Sequence, residues 1–228
     1  LFSTGYIVAE NKLANAYYDM AVSEARLTRY LAIAKGGVEP AHFDKLARRY
    51  EGKNGGVLLS WSGTGFEYLM PELFFSAFPG SLWDMTIDHM LDGQMRYAAI
   101  KGLPWGISES GYNAMDVNLN YKYKAIGVPG LGLKYEPDAE PVISPYTSMM
   151  AVDRIPAEVQ KNLARLRQED AYGPYGYFEA VDYTKSRAGV VRSVMAHHLG
   201  MSLTALCNYL ADDYVRKMFG SSSMVASC

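Results

Sequence analysis

Three glutamates stand in unusual company. Glu67 lies in Trp61-Ser62-Gly63-Thr64-Gly65-Phe66-Glu67-Tyr68, Glu109 in Pro104-Trp105-Gly106-Ile107-Ser108-Glu109-Ser110, and Glu179 in Tyr175-Gly176-Tyr177-Phe178-Glu179-Ala180-Val181-Asp182-Tyr183. Aromatic walls desolvate a carboxyl group and raise its pKa, the condition for a general acid working near neutral pH. The same rings offer stacking faces to a sugar. A single loop carboxylate is as readily explained by bonds to backbone amides; three such settings in one chain favour a site. Two carboxylates across a cleft suffice to cleave a glycosidic bond, one protonating the leaving oxygen and the other attacking the anomeric carbon or activating water. Glu109, after Trp105 and between two serines, is read as the acid/base, and Glu179, near Asp182 and Tyr183, as the nucleophile. Glu67 is the reserve. Glu24, Glu51, Asp88, Glu158 and Glu169 read as solvated helix faces or loop edges.

Other chemistries fit less well. His197 and His198 are adjacent, so on a helix they diverge by about 100° and cannot ligate one metal in the i, i+4 manner. No Cys-x-x-Cys, His-Glu-x-x-His or Gly-x-Ser-x-Gly run occurs, and no metal or cofactor is expected. Gly127-Val128-Pro129-Gly130-Leu131-Gly132 contains proline and lacks phosphate-cradling spacing, so it reads as a turn. Two cysteines, Cys207 in an apolar helical run and Cys228 at the end, give no disulfide framework. The 228 residues carry 22 basic and 24 acidic side chains, a net charge of −2 that argues against a dedicated nucleic-acid binder. Eighteen tyrosines against 8 phenylalanines and 3 tryptophans skew the aromatics toward rings bearing a hydroxyl. No apolar run approaches the roughly 20 residues of a membrane span. The opening Leu-Phe-Ser-Thr-Gly has no initiator Met and no signal pattern, and reads as the middle of a longer chain.

The elements that must position these residues are helices joined by long loops. A stripe of Met20, Glu24, Leu27 and Leu31 predicts a helix over 15–34, capped by Asn15 and stopped by Gly36-Gly37. A shorter one is expected over 40–50. Ile87, Leu91, Met95 and Ala98 predict a helix over 84–101, closed by Gly102. Pro156 opens another, continued by Val159, Leu163 and Leu166. The stretch 189–214 is apolar nearly all round and predicts a helix buried on more than one side. Loops over 102–115, 126–148 and 171–187 are long enough to be functional. No run alternates as a β-sandwich would.

Read together, Leu59 to Pro71, Gly102 to Ser110, Gly127 to Lys134, Tyr175 to Tyr183 and Met195-Ala196-His197-His198-Leu199-Gly200-Met201-Ser202 resemble the glycoamylase-like domain of cyclic β-1,2-glucan synthases. Tyr17-Tyr18-Asp19 and Ser23-Glu24-Ala25-Arg26 resemble it too, while Gly65 and Leu199 depart from its pattern. The resemblance runs to about residue 212 and implies an all-α fold, an (α/α)6 toroid of which the chain supplies a partial or C-terminal portion. Residues 1–212 are then one domain and 213–228 a divergent tail. It further implies retaining transglycosylation on β-1,2-glucan, within a cytoplasmic domain of a larger, inner-membrane-associated bacterial protein whose neighbouring domains are partners. Endo-β-1,2-glucanase hydrolysis and a non-catalytic glucan-binding module are the alternatives. On this reading Trp61, Trp105, Tyr112, Tyr146 and Tyr175 line sugar subsites, and Asp19, Arg26, Glu67, Tyr68, Asp182, His197 and His198 bond substrate hydroxyls. A retaining pair would stand about 5–5.5 Å apart, an inverting pair about 6.5–9.5 Å.

Overall fold

The computed structural model describes residues 1–52, 56–134 and 140–226. Cys228 and parts of the 52–56 and 126–148 loops lie outside the described residues, and Cys207 is a free, half-buried thiol. Nine helices follow one another among the described residues: α1 (Ala25–Ala34), α2 (Ala41–Asp44), α3 (Gly65–Leu69), α4 (Leu82–Lys101), α5 (Pro145–Met150), α6 (Pro156–Gln168), α7 (Ala196–Leu210), α8 (Tyr214–Gly220) and α9 (Ser223–Ala226).

The longest, α4, forms as its residues dictate. Ser81 caps it, its hydroxyl accepting from Asp84 N–H, and Gly102 ends it in the left-handed conformation at φ +68°. Between them Ile87, Met90, Leu91, Gln94 and Ala98 bury one face at helical spacing. Gln94 is the exception among apolar neighbours: its amide bonds both polar groups of the Ile107 backbone, at 2.7 and 2.9 Å, and so fixes the 105–110 loop to the helix. In α6, Pro156 occupies the first turn as its fixed φ favours, and Val159, Asn162 and Leu166 face inward. Asn162 accepts from Trp105 N–H and donates to Trp105 O, anchoring the other end of that loop.

Three helices differ from expectation. The chain before Ala25 is extended: Tyr17–Tyr18 pairs with Phe2–Ser3, and Met20 and Val22 make parallel bridges to Ala47 and Ser60. Met20 and Glu24 therefore never share a helical stripe, and Asn15 caps nothing. The 40–50 segment is helical only over α2. The last long helix begins at Ala196, because Gly189–Val191 is a strand antiparallel to Ala180–Asp182. Two adjacent β-branched valines suit a pleated edge better than a helix. Leu203 and Leu210 of α7 are 66% and 77% exposed, so that helix keeps one apolar side open in the described structure.

Sheets are the larger correction to an all-α reading. Short strands form six small sheets among the described residues. The three-stranded one orders Gly189–Val191, Ala180–Asp182 and Val142–Ile143, all antiparallel. A hairpin pairs Ser110–Met115 with Tyr121–Lys124 and is irregular between Tyr112 and Met115. Outside that hairpin the strands were hidden because each is two or three residues long, too short for alternation to be recognised. The segment after Asp213 docks: Phe219 packs near Tyr30, Phe74 and Phe75, and Arg216 pairs with Asp153 and Asp213.

Candidate active site

Glu67 is the most completely bonded of the three glutamates. It sits at the third position of α3, where Thr64 is the cap and the two close a reciprocal capping box. Its Oε2 accepts from Ser60 Oγ (2.8 Å), Thr64 N–H (3.0 Å), Thr64 Oγ (3.1 Å) and Ser62 N–H (3.2 Å). Burial pushes its pKa up, and these donors pull part of the way back. The Ser60–Thr64 loop is held from behind by the glycine-rich turn: a Cβ on Gly127 would stand 1.7 Å from Ser62 O, and one on Gly132 2.5 Å from Ser62 C. Only glycine permits that approach.

Glu109 follows the loop anchored by Gln94 and Asn162 and is half-buried. It opens into a cavity of about 400 Å³ whose wall includes Tyr18, Asp19, Glu24, Trp61 and Glu67. Burial pushes the Glu109 pKa up, the Tyr123 hydroxyl at 2.8 Å opposes this, and the charge of Glu24 adds to it. Glu24 has the sequence setting of a solvated helix residue, but with the chain before Ala25 extended it turns into this cavity beside Tyr18, its Oε2 accepting from Ser23 Oγ (3.1 Å). Trp61 is 57% exposed at the same wall, a free ring face.

Glu179 has a different setting. Its side chain is 1% exposed; Oε1 accepts from Gly111 N–H at 3.0 Å and Oε2 meets His198 Nδ1 at 2.9 Å. It borders a second cavity, of about 260 Å³, walled by Tyr146, Tyr172, Tyr175 and His198. The bonded path from Glu109 to Glu179 passes through the Tyr123 hydroxyl and the His198 ring. Tyr146 stacks on that ring, centroids 3.8 Å apart, and its hydroxyl donates to Ser108 Oγ or Glu109 O.

The remaining sequence candidates scatter. Arg26 is buried in an ion pair with Glu72 (2.6 Å) against Trp83 and Phe75. Tyr68 is 1% exposed, its hydroxyl bonded to Leu58 O and Leu131 O. Trp105 is buried in the core. Asp182 is held by Arg187 (2.6 Å), Asn113 N–H and Thr184 N–H; burial would raise its pKa, but these partners bring it below the ordinary value. Tyr112 lies beneath Lys124 and Arg187. Tyr175 is exposed at the second cavity, and His197 is exposed beside Phe66. Two residues were missed: Glu24, hidden by the false stripe, and Tyr123, whose place on Tyr121-Lys122-Tyr123-Lys124 follows from a four-residue alternation. No group of three His, Cys, Asp or Glu side chains able to hold a metal occurs among the described residues.

This arrangement can donate a proton from Glu109 and offer a second carboxylate, Glu24, beside an exposed aromatic ring. Comparison with known proteins gives the context. The chain is 42% identical over 232 aligned residues to the cyclic β-(1,2)-glucan synthase NdvB of Rhizobium meliloti (strain 1021), covering 99% of this chain and 8% of that protein. Its fold matches an endo-β-1,2-glucanase from Chitinophaga pinensis in complex with sophorotriose and glucose, with a TM-score of 0.69 at 17% identity, over 99% of this chain and 56% of that one. It also matches an endo-β-1,2-glucanase from Talaromyces funiculosus in complex with sophorose, with a TM-score of 0.64 at 14% identity, over 94% and 48%. The chain thus spans about half of these solved structures and a small part of the synthase. The glycoamylase family model matches residues 16–223, nearly the whole chain, and the chain belongs to the glycoamylase family.

Proposed function

We infer that the chain is the carbohydrate-active part of an enzyme on β-1,2-glucan and that it carries out retaining transglycosylation. The observation that carries this is the half-buried Glu109, its pKa raised by burial, sharing one cavity with Glu24 and the exposed ring of Trp61. The 42% identity to a glucan synthase favours chain transfer over hydrolysis, since the glucanases share only the fold. The helices are taken as a partial or C-terminal portion of an (α/α)6 toroid, within a larger, membrane-associated protein whose neighbouring domains would be partners. No helix among the described residues is long and apolar enough to cross a membrane.

In this reading Glu109 protonates the glycosidic oxygen as the bond to the anomeric carbon breaks, and Glu24 attacks that carbon to form a glycosyl ester. Glu109, now ionised, takes the proton of an acceptor sugar hydroxyl, which attacks the same carbon and releases Glu24. Glu179, paired with Glu109 in the sequence reading, has both oxygens engaged and its side chain enclosed, so its proposed role is to hold His198. Glu67 holds the Trp61 loop. The test is turnover of linear β-1,2-glucan by Glu109→Gln and Glu24→Gln. Each is expected to lose about 10²–10⁴-fold, the worth of a positioned acid or nucleophile, with near-UV circular dichroism unchanged. Near-normal turnover in either variant removes that residue from its role.

A further inference from the structure

A line of hydrogen-bonding groups leads away from Glu109 into the interior. The Tyr123 hydroxyl is 2.8 Å from Glu109 Oε1 and 3.4 Å from His198 Nε2. On the far side of the ring Nδ1 is 2.9 Å from Glu179 Oε2, and Glu179 Oε1 accepts from Gly111 N–H. A carboxylate has only acceptors to offer, so Nδ1 carries a hydrogen and the state of Nε2 is the open variable. His198 is 3% exposed and stacked on Tyr146 with planes 16° apart, so the ring is held in this orientation. The surrounding titratable groups are Glu24 and Tyr18 ahead of α1, Glu67 on α3, Tyr146 on α5 and His197 on α7.

We propose that Tyr123 and His198 form a two-way proton wire to Glu109, in which one proton resides on either the Glu109 carboxyl or His198 Nε2 while Glu179 pins the Nδ1 hydrogen. In the first state Glu109 donates to the Tyr123 oxygen and Tyr123 donates to Nε2 of a neutral imidazole. In the second, Nε2–H of an imidazolium donates to Tyr123, and Tyr123 donates to the Glu109 carboxylate. Passage from first to second breaks the Glu109 O–H bond as a new O–H bond forms on Tyr123. The original Tyr123 O–H bond breaks as N–H forms on His198. No atom enters or leaves and the total charge is the same in both states. The phenol never has to hold a negative charge, in keeping with burial and the neighbouring Glu109 pushing its pKa far up. Tyr123 and His198 are positioning residues here: the wire keeps the acid's proton within reach on both sides of the proton-transfer step. This consequence rests on Glu109 being the acid; the wire itself does not.

The test uses the chain labelled with ¹⁵N-histidine, in which only four histidines give signals. The Nε2 shift of His198 distinguishes a bare nitrogen from one that carries hydrogen. Glu109→Gln is expected to move that signal at a fixed pH, and in a Tyr123→Phe background the movement should fall to less than about half, since the coupling runs through the hydroxyl. Tyr123→Phe should also carry the alkaline limb of the pH–rate profile upward, because the ionised Glu109 loses a donor. Should Tyr123→Phe fail to fold, Glu179→Gln serves: it removes the charge that pins Nδ1–H and is expected to move the same limb. An Nε2 signal indifferent to Glu109→Gln, or an equal response with and without the Tyr123 hydroxyl, overturns the wire. Inactive Glu109→Gln with an unmoved His198 would leave the acid assignment and remove the wire. Active Glu109→Gln with a responding His198 would keep the wire and remove the assignment.

Discussion

Replacing Glu67 by alanine separates a structural carboxylate from a chemical one. Its four donors divide into two kinds. Ser60 Oγ and Thr64 Oγ can rotate toward other partners once the carboxylate is gone. The N–H groups of Ser62 and Thr64 cannot, and each is directed at Glu67, at 3.1 and 3.0 Å for the nearer oxygen. A buried donor left unpaired costs about 1–3 kcal/mol, and some of the loss is offset because a desolvated charge is removed. The expected cost for Glu67→Ala is therefore about 3 kcal/mol, or a Tm lower by about 6–12 °C at this chain length. Glu67→Gln keeps one acceptor but sets an amide NH₂ opposite the Ser62 N–H, and should cost about 1–2 kcal/mol. Urea unfolding followed by tryptophan fluorescence reads both, with the slope checked for constancy. Turnover measured well below the new midpoint should survive in both variants. Wild-type midpoints accompanied by abolished turnover would refute this account and make Glu67 a participant in the chemistry.

Three further outcomes follow from the same geometry. Because burial raises the Glu109 pKa in the folded state above the ordinary 4.5, its contribution to stability is fully present below that value and is lost as pH rises through the raised one. Glu109→Gln should therefore be more stable than the wild type at pH 7 and lose that advantage below about pH 4.5, as thermal melts across pH will read. Trp61→Ala, which removes an exposed ring from the cavity wall, should raise KM about tenfold with the urea midpoint unchanged. Gly127→Ala must move the Ser62 carbonyl out of a 1.7 Å clash, so it should cost about 3 kcal/mol or more and disturb the Trp61 loop.

The long amphipathic helices were legible because their own residues decide them: α4 has its serine cap, its buried stripe and its terminal glycine, and α6 its leading proline. The three glutamates picked out by their aromatic settings all border cavities, but Glu67 and Glu109 share one and Glu179 stands at another. What escaped depends on pairing across the chain. The strand nature of Tyr17–Tyr18 is set by Phe2–Ser3, and that of Gly189–Val191 by Ala180–Asp182, and such pairing leaves no mark on the periodicity of a strand two or three residues long. The misplaced first helix then carried Glu24 onto a solvent face. Likewise, nothing in the spacing of Glu109 and Glu179 reveals that a tyrosine hydroxyl and an imidazole stand on the path between them. Arg26 and Tyr68 show the converse: polar groups that suit a sugar site by type are consumed by Glu72 and by backbone carbonyls.

The central claim is that glucan is cleaved in the cavity shared by Glu109 and Glu24. A crystal structure of Glu109→Gln soaked with a β-1,2-linked glucose oligosaccharide tests it most directly. The account predicts a glycosidic oxygen about 2.6–3.2 Å from the residue-109 amide, the Glu24 carboxylate facing the adjacent anomeric carbon, and a sugar ring against Trp61. An oligosaccharide seated instead in the tyrosine-walled cavity, with its scissile bond against Glu179, would contradict it.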